Sequence, residues 1–242
     1  QAAKAQAVKT QTSRLEAAKV LASILRREGS LSALLPPAVA NTAVGERPLL
    51  QQLCYGTLRY LPQLQLIAGK LLTKPLKAKD QDVQALILIG LYQLLHSRIP
   101  AHAAISETVQ ITLKLKKPWA KGLVNAVLRN CQRQPELLQQ LQQDPLYRFA
   151  HPRWLIKKLK TAWPEHWQQI LEQNNHQAPM TLRINQRKNS RSDYAALLAD
   201  AGIEYRLCDH AEQGITLVNA VDVDQLPGFR LGWVSVQDEA AQ

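Results

Sequence analysis

The chain is poor in the residue types that announce small-molecule chemistry. Its three cysteines, Cys54, Cys131 and Cys208, are far apart and form neither a C-x-x-C pair nor a zinc-type Cys/His spacing, so the pattern offers no zinc site and no disulfide framework. Ten glycines in 242 residues contain no G-x-G-x-x-G. Gly228-Phe-Arg-Leu-Gly232 precedes a strand pattern and lacks a following Lys-Ser/Thr, so it does not read as a phosphate loop. No apolar run approaches the roughly 20 residues of a membrane span, and Gln1 to Thr12 lack the apolar stretch of a secretory signal. Nothing assembles a nucleophile, a base and an oxyanion hole. Neither a membrane nor a metal is expected as a partner, and the cysteine usage suits a reducing, cytoplasmic compartment. The chain opens on Gln1 and closes on Asp238-Glu-Ala-Ala-Gln242, and both ends read as cut.

Positive charge is present in excess, and unevenly. Residues 1–150 hold 20 Lys plus Arg against 8 Asp plus Glu, whereas residues 151–242 hold 10 against 11. A compact domain of that charge attracts a polyanion, because each neutralised phosphate releases a condensed counterion. The chain reads as a basic helical module followed by a neutral mixed one, long enough for two separate cores.

Apolar residues recur at helical spacing through the first module. Ser13-Arg-Leu-Glu16 fits a capping box ahead of Leu15, Ala18, Leu21, Ala22 and Leu25, with Gly29 as the stop. Pro36-Pro37 is expected to break the next segment. Pro48 opens a helix, Pro62 ends or kinks it, and Asp80 is expected to cap the run from Val83 to Leu95. Further helices carry Ile105 to Leu113 and, from Pro118, Trp119 and Leu123 to Cys131 on one apolar face. Residues 135–150 read as a short helix and linker. Helices follow from Pro152 and Pro164. After Pro179 the period changes to alternation, with strands at Thr181–Asn185, Glu204–Leu207, Ile215–Val218 and Trp233–Val236, and a helix from Ser192 to Ala201. The expected fold is an all-α helical bundle over 1–134, the linker, and a helical segment plus small α+β region over 151–242.

The last helix of the bundle sets Lys121, Asn125 and Arg129 at i, i+4 and i+8, one polar stripe opposite its apolar face. Lys114, Lys116 and Lys117 precede it, and Arg14, Lys19, Arg26 and Arg27 decorate the first helix. From Thr108 to Gln134 there is no Asp or Glu. Any one lysine reads as a solvated surface residue. As a set, Arg14, Arg26, Arg27, Lys114, Lys117, Lys121, Asn125 and Arg129 form a candidate nucleic-acid face. Cys54 and Cys131 read as small buried hydrophobes, Cys208 as structural, His102 and Glu107 as turn-capping residues, and Trp154, Trp163 and Trp167 as core.

The segments from Asp82 to Leu95, Ile99 to Val109 and Lys121 to Asn130, with the helices from Ser13 and Leu53, closely resemble the NusB-like RNA-binding domain over residues 13–133. His151-Pro-Arg-Trp-Leu155, Asn174-Asn175, Pro179 to Asn185 and Val236 to Gln242 resemble the region that ribosomal RNA cytosine-C5 methyltransferases of the RsmB (Fmu/Sun) type carry before their catalytic domain. The resemblance implies an all-α NusB-like helical bundle followed by a small α+β domain. It also implies the RNA-binding N-terminal portion of an S-adenosylmethionine-dependent 16S ribosomal RNA methyltransferase, with small-subunit ribosomal RNA as partner. In that family the cofactor site and both catalytic cysteines lie after the Gln-Asp-Glu-Ala motif, where this chain stops. It is therefore expected to bind no S-adenosylmethionine and to be inactive alone. The non-enzymatic alternative is a NusB-like RNA-binding or antitermination adaptor. Which cytosine would be modified is not written in these residues.

Overall fold

The computed structural model describes residues 2–242, with side chains from Ser13 onward. The chain divides into two compact units, residues 1–175 and 176–242. The first is helical: α1 (Ala2–Leu25), α2 (Leu31–Ala40), α3 (Arg47–Arg59), α4 (Leu61–Leu71), α5 (Gln81–His96), α6 (Ala101–Lys114), α7 (Ala120–Arg133), α8 (Pro135–Leu141), α9 (Pro145–Phe149), α10 (Arg153–Ala162) and α11 (Trp167–Asn175). The all-α bundle and the small α+β region that the sequence predicts are both present.

The centre of the bundle is α5. The sequence marks one apolar face on it, but the structure buries every residue from Ala85 to Gln93. A helix apolar all round belongs inside, and α1, α3, α4, α6 and α7 pack around it. Gly56 of α3 lets two helices approach closely, since a Cβ there would stand 2.1 Å from the Tyr92 ring of α5.

Several local expectations are corrected. Ser13 is not an N-cap: α1 runs through it, and its hydroxyl donates to the buried Glu46 carboxylate at 2.8 Å. Glu16 instead pairs with Lys19. The stop of α1 is Arg27, at φ 62°, with Glu28 N–H donating to Ser23 O and Arg27 N–H to Ile24 O, a left-handed C-terminal closure. Pro36 and Pro37 do not break α2. Both rings and the Ser32 and Ala33 residues whose carbonyls they free lie on the exposed side, open to solvent, while Leu35 and Ala38 anchor the other side. Asp80 makes no side-chain cap.

Helices α9, α10 and α11 share a small core of Phe149, Ile156 and Leu171. His151 locks it: its Nδ1 donates to Phe149 O at 2.5 Å, and Asn174 Nδ2 donates to its Nε2 at 2.7 Å. Asn175 Nδ2 also donates to Phe149 O. The expected core role of the tryptophans holds for Trp167, which packs here. It fails for Trp154 and Trp163, which are 63% and 56% exposed.

The second unit is an antiparallel sheet of order β2-β3-β1-β4, formed by β1 (Thr181–Ile184), β2 (Tyr205–Leu207), β3 (Gly214–Leu217) and β4 (Val234–Val236). Thr181 stands opposite Thr216, and Leu182 opposite Val236. A single helix, α12 (Arg191–Asp200), is capped by Ser190 accepting from Asp193 N–H. It sets Tyr194 and Leu198 into a core with Leu182, Ile184, Ile215 and Leu217.

Candidate nucleic-acid interface

The amphipathic character of α7 decides what reaches solvent. Ala120, Val124, Val127, Leu128 and Cys131 face the core, which leaves Lys121 and Arg129 exposed and Asn125 half-buried. Arg129 Nε donates to Asn125 Oδ1 at 3.1 Å, so the stripe is partly organised before any ligand arrives. Beside it, α6 and α7 enclose a cleft of about 300 Å3 lined by His102, Ser106, Gln110, Asn125, Arg129 and Gln132 over a floor of Ile105 and Val109. Among the described residues, no carboxylate lines this cleft. His102 therefore belongs to the polar wall, and Glu107, read from the sequence with it, turns inward to Arg14.

The other candidates scatter. Arg14 is corrected outright: it is 1% exposed. Its Nε donates to Gln93 Oε1 at 2.9 Å, and its guanidinium pairs with Glu107. Burial lowers its pKa from the ordinary arginine value, and Glu107 and Glu46 oppose that shift. Lys117 donates to Asp80 at 2.9 Å, to Asp82 at 2.6 Å and to Lys79 O at 3.0 Å. Burial alone would lower its pKa, but the two carboxylates raise it. Its charge is spent inside the protein. Arg26 is exposed but pairs with Glu28 at 2.8 Å. Arg27 and Lys114 are exposed.

A second basic groove went unread in the sequence. It is a cleft of about 730 Å3 whose walls carry Lys74, Lys77, Lys79, Lys116 and Trp119; Trp119, expected on the apolar face of α7, instead stands at its N-cap and is 54% exposed. Asp80 also lines it, but Lys117 neutralises that carboxylate. The signal was available: from Gly69 to Lys79 the chain has four lysines and no acid. Lysines around an exposed indole are the elements of a single-strand binding surface, cations for the backbone and a face for a base.

The thiols offer nothing to chemistry. All three are buried, and burial pushes Cys54 up to about 12 and Cys131 up to about 11. The Gly228–Gly232 turn does not fit S-adenosylmethionine either. Both glycines have positive φ, but a Cβ on Gly228 would meet the Trp233 ring at 2.4 Å, so the turn closes on an indole rather than opening as a cradle. Among the described residues, no group of three or more His, Cys, Asp or Glu could hold a metal ion, and no helix is long and apolar enough to cross a membrane.

A family model for NusB matches residues 11–133, half of the chain and most of the core around α5. The chain belongs to the NusB family. This NusB-family chain continues into a match, over residues 151–224, to the ferredoxin-like domain of RsmF/B-like methyltransferases. It is 56% identical over 230 residues to ribosomal RNA small subunit methyltransferase B of Pseudomonas putida, covering 95% of this chain and 53% of that protein. The protein of the same name from Vibrio vulnificus is 50% identical, with 95% and 54% covered. The chain thus spans about half the length of the curated relatives it matches. The crystal structure of PH0851 shares the fold at a TM-score of 0.64 and 13% identity, over 94% of this chain and 53% of that one.

Proposed function

We propose that this NusB-family chain is the RNA-binding N-terminal portion of an S-adenosylmethionine-dependent methyltransferase acting on cytosine C5 of 16S ribosomal RNA. The observation that carries the reading is the joining, in one chain, of the NusB bundle to the RsmF/B-type ferredoxin-like domain. We propose 1–134, 135–150 and 151–242 as the division along the sequence, beside the compact units 1–175 and 176–242. In this reading the bundle holds small-subunit ribosomal RNA in a cytoplasmic setting, through Lys114, Lys121, Asn125 and Arg129, and the lysine groove extends the contact. Arg14 and Lys117 support the fold instead. The chemistry and the cofactor belong to residues outside this chain.

Replacing Lys121 and Arg129 by Ala should weaken binding to all RNA sequences alike. Each lost phosphate contact removes about 0.7 from the slope of log affinity against log salt on single strands, so the double variant should lose roughly 1 to 2 units. An unchanged slope would move the RNA surface elsewhere. Calorimetry with S-adenosylmethionine should give no binding to this chain, and methyl transfer should require the rest of the protein. The NusB match also suits an antitermination adaptor. Recovery of transcription-machinery proteins without enrichment of ribosomal RNA would favour that alternative.

A further inference from the structure

We propose that the solvent face of α10 is a second single-stranded RNA contact, with Trp154 as the platform on which one base stacks. The proposal rests on the RNA-binding reading and extends it beyond the NusB bundle. Helix α10 reads RWLIKKLKTA and contains four cations and no carboxylate. Its buried side is Ile156, with Leu159 packed beside it. At 3.6 residues per turn the opposite side carries Arg153, Trp154, Lys157 and Lys158. Trp154 is therefore at the centre of a cationic face, 63% exposed, and Lys158 Nζ lies 5.8 Å from its ring centroid.

The neighbouring charges define what is free. Arg153 is paired with Asp144 at 2.6 Å, and Glu172, from α11, with Arg148 at 3.5 Å. Lys160 turns the other way and sits 4.3 Å over the Trp167 ring. Lys157 and Lys158 are exposed and face no carboxylate within ion-pair distance among the described residues. An indole flanked by two such cations matches a nucleotide in both parts: the ring takes the base and the ammonium groups take the adjacent phosphates. Protein interfaces are depleted in lysine relative to the rest of the surface, so an indole held between two unpaired lysines suits a nucleotide better than an apolar protein partner.

The test is titration of a fluorescently labelled oligouridylate of about 12 nucleotides with the 242-residue chain, read by anisotropy, together with quenching of intrinsic indole fluorescence. Trp154→Ala should weaken binding about 10-fold, within the range expected for loss of one stacked base, and Trp154→Phe should restore most of it. Part of the quenching should vanish in Trp154→Phe. The Lys157→Ala/Lys158→Ala pair should lower the salt slope by about 1.4, which is two single-strand phosphates. Trp163→Phe, at the C-cap just past the end of α10, serves as the control and should change neither affinity nor quenching. Thermal melts should show the exposed-site variants folded. If RNA binds normally and Trp154→Ala leaves affinity and quenching untouched, the proposal is overturned while the RNA reading stands. Absence of any RNA binding by the unaltered chain is a different result and overturns both. Shielding of Trp154 by the remaining half of the protein, without RNA, assigns the face to a protein contact and also overturns the proposal.

Discussion

Arg14 occupies a position where the helix pattern asks for something apolar, and it satisfies the interior by carrying its partners with it. Its Nε engages Gln93, Gln93 Nε2 donates to Thr108 at 3.0 Å and to Ile89 O at 3.2 Å, and Glu107 supplies the counter-charge. Helices α1, α5 and α6 are joined by this one cluster. Removing one partner of a buried pair leaves the other uncompensated, at a cost of about 3–5 kcal/mol. Arg14→Ala should therefore lower stability in urea by that order, whereas Arg14→Leu with Glu107→Leu should recover most of it. Equal losses in both variants would contradict the account. His96 provides a pH test. Its ring stacks on Tyr60 at 3.7 Å, its Nε2–H donates to Gln63 Oε1 at 2.6 Å, and burial holds its pKa down at about 4. The unfolded chain takes up that proton near pH 6.5, so the contribution of His96 is complete above pH 6.5 and is lost as pH falls toward 4. The urea midpoint should drop more between pH 7 and pH 5 in the native chain than in His96→Phe. Neither arrangement is legible in the sequence: a charged residue reads as surface, and Arg14 meets Gln93 across 79 positions.

Helices were readable because burial imposes a period of 3.6 and strands because it imposes a period of 2. The change near Pro179 therefore located β1 and its partners correctly. What was lost at this scale are features that depend on which side of an element faces water. The prolines of α2 and the outward Trp154 of α10 are both of this kind, since composition shows an aromatic or a proline but not its azimuth. Close helix approach is another. Alanine at position 56 gains up to about 1 kcal/mol in helix propensity, yet its Cβ would collide with the Tyr92 ring at 2.1 Å. Overpacking of that kind costs about 1–3 kcal/mol. Gly56→Ala should thus destabilise the bundle, and it should turn neutral or stabilising when Tyr92→Leu makes room. A stabilising Gly56→Ala in the native background would show that α3 and α5 can separate without cost.

Across the whole molecule the charge separates with the structural units. Residues 1–175 hold 24 Lys plus Arg against 10 Asp plus Glu, and residues 176–242 hold 6 against 9. The sequence alone showed the asymmetry, and the structural division sharpens it because α10 falls on the basic side. The two units also have cores of very different size, and a 67-residue unit buries proportionally less of its surface than a larger one. A calorimetric scan should resolve two transitions, and a parallel fluorescence melt should show the environment of Trp233, the tryptophan of residues 176–242, changing in the earlier one. One coincident transition would show the units to be a single cooperative body. The candidate RNA face was half legible: the α7 stripe follows from spacing, whereas the groove around Trp119 needed the fold to bring residues 73–80 beside residues 116–123. The buried thiols have a practical side. With Cys54 and Cys131 titrating at about 12 and 11 and Cys208 buried as well, a cysteine introduced at exposed Ser106 or Thr161 would be the one fast-reacting thiol at neutral pH. Either rim can then carry a single dye or crosslinker without first stripping the native sulfurs from the chain.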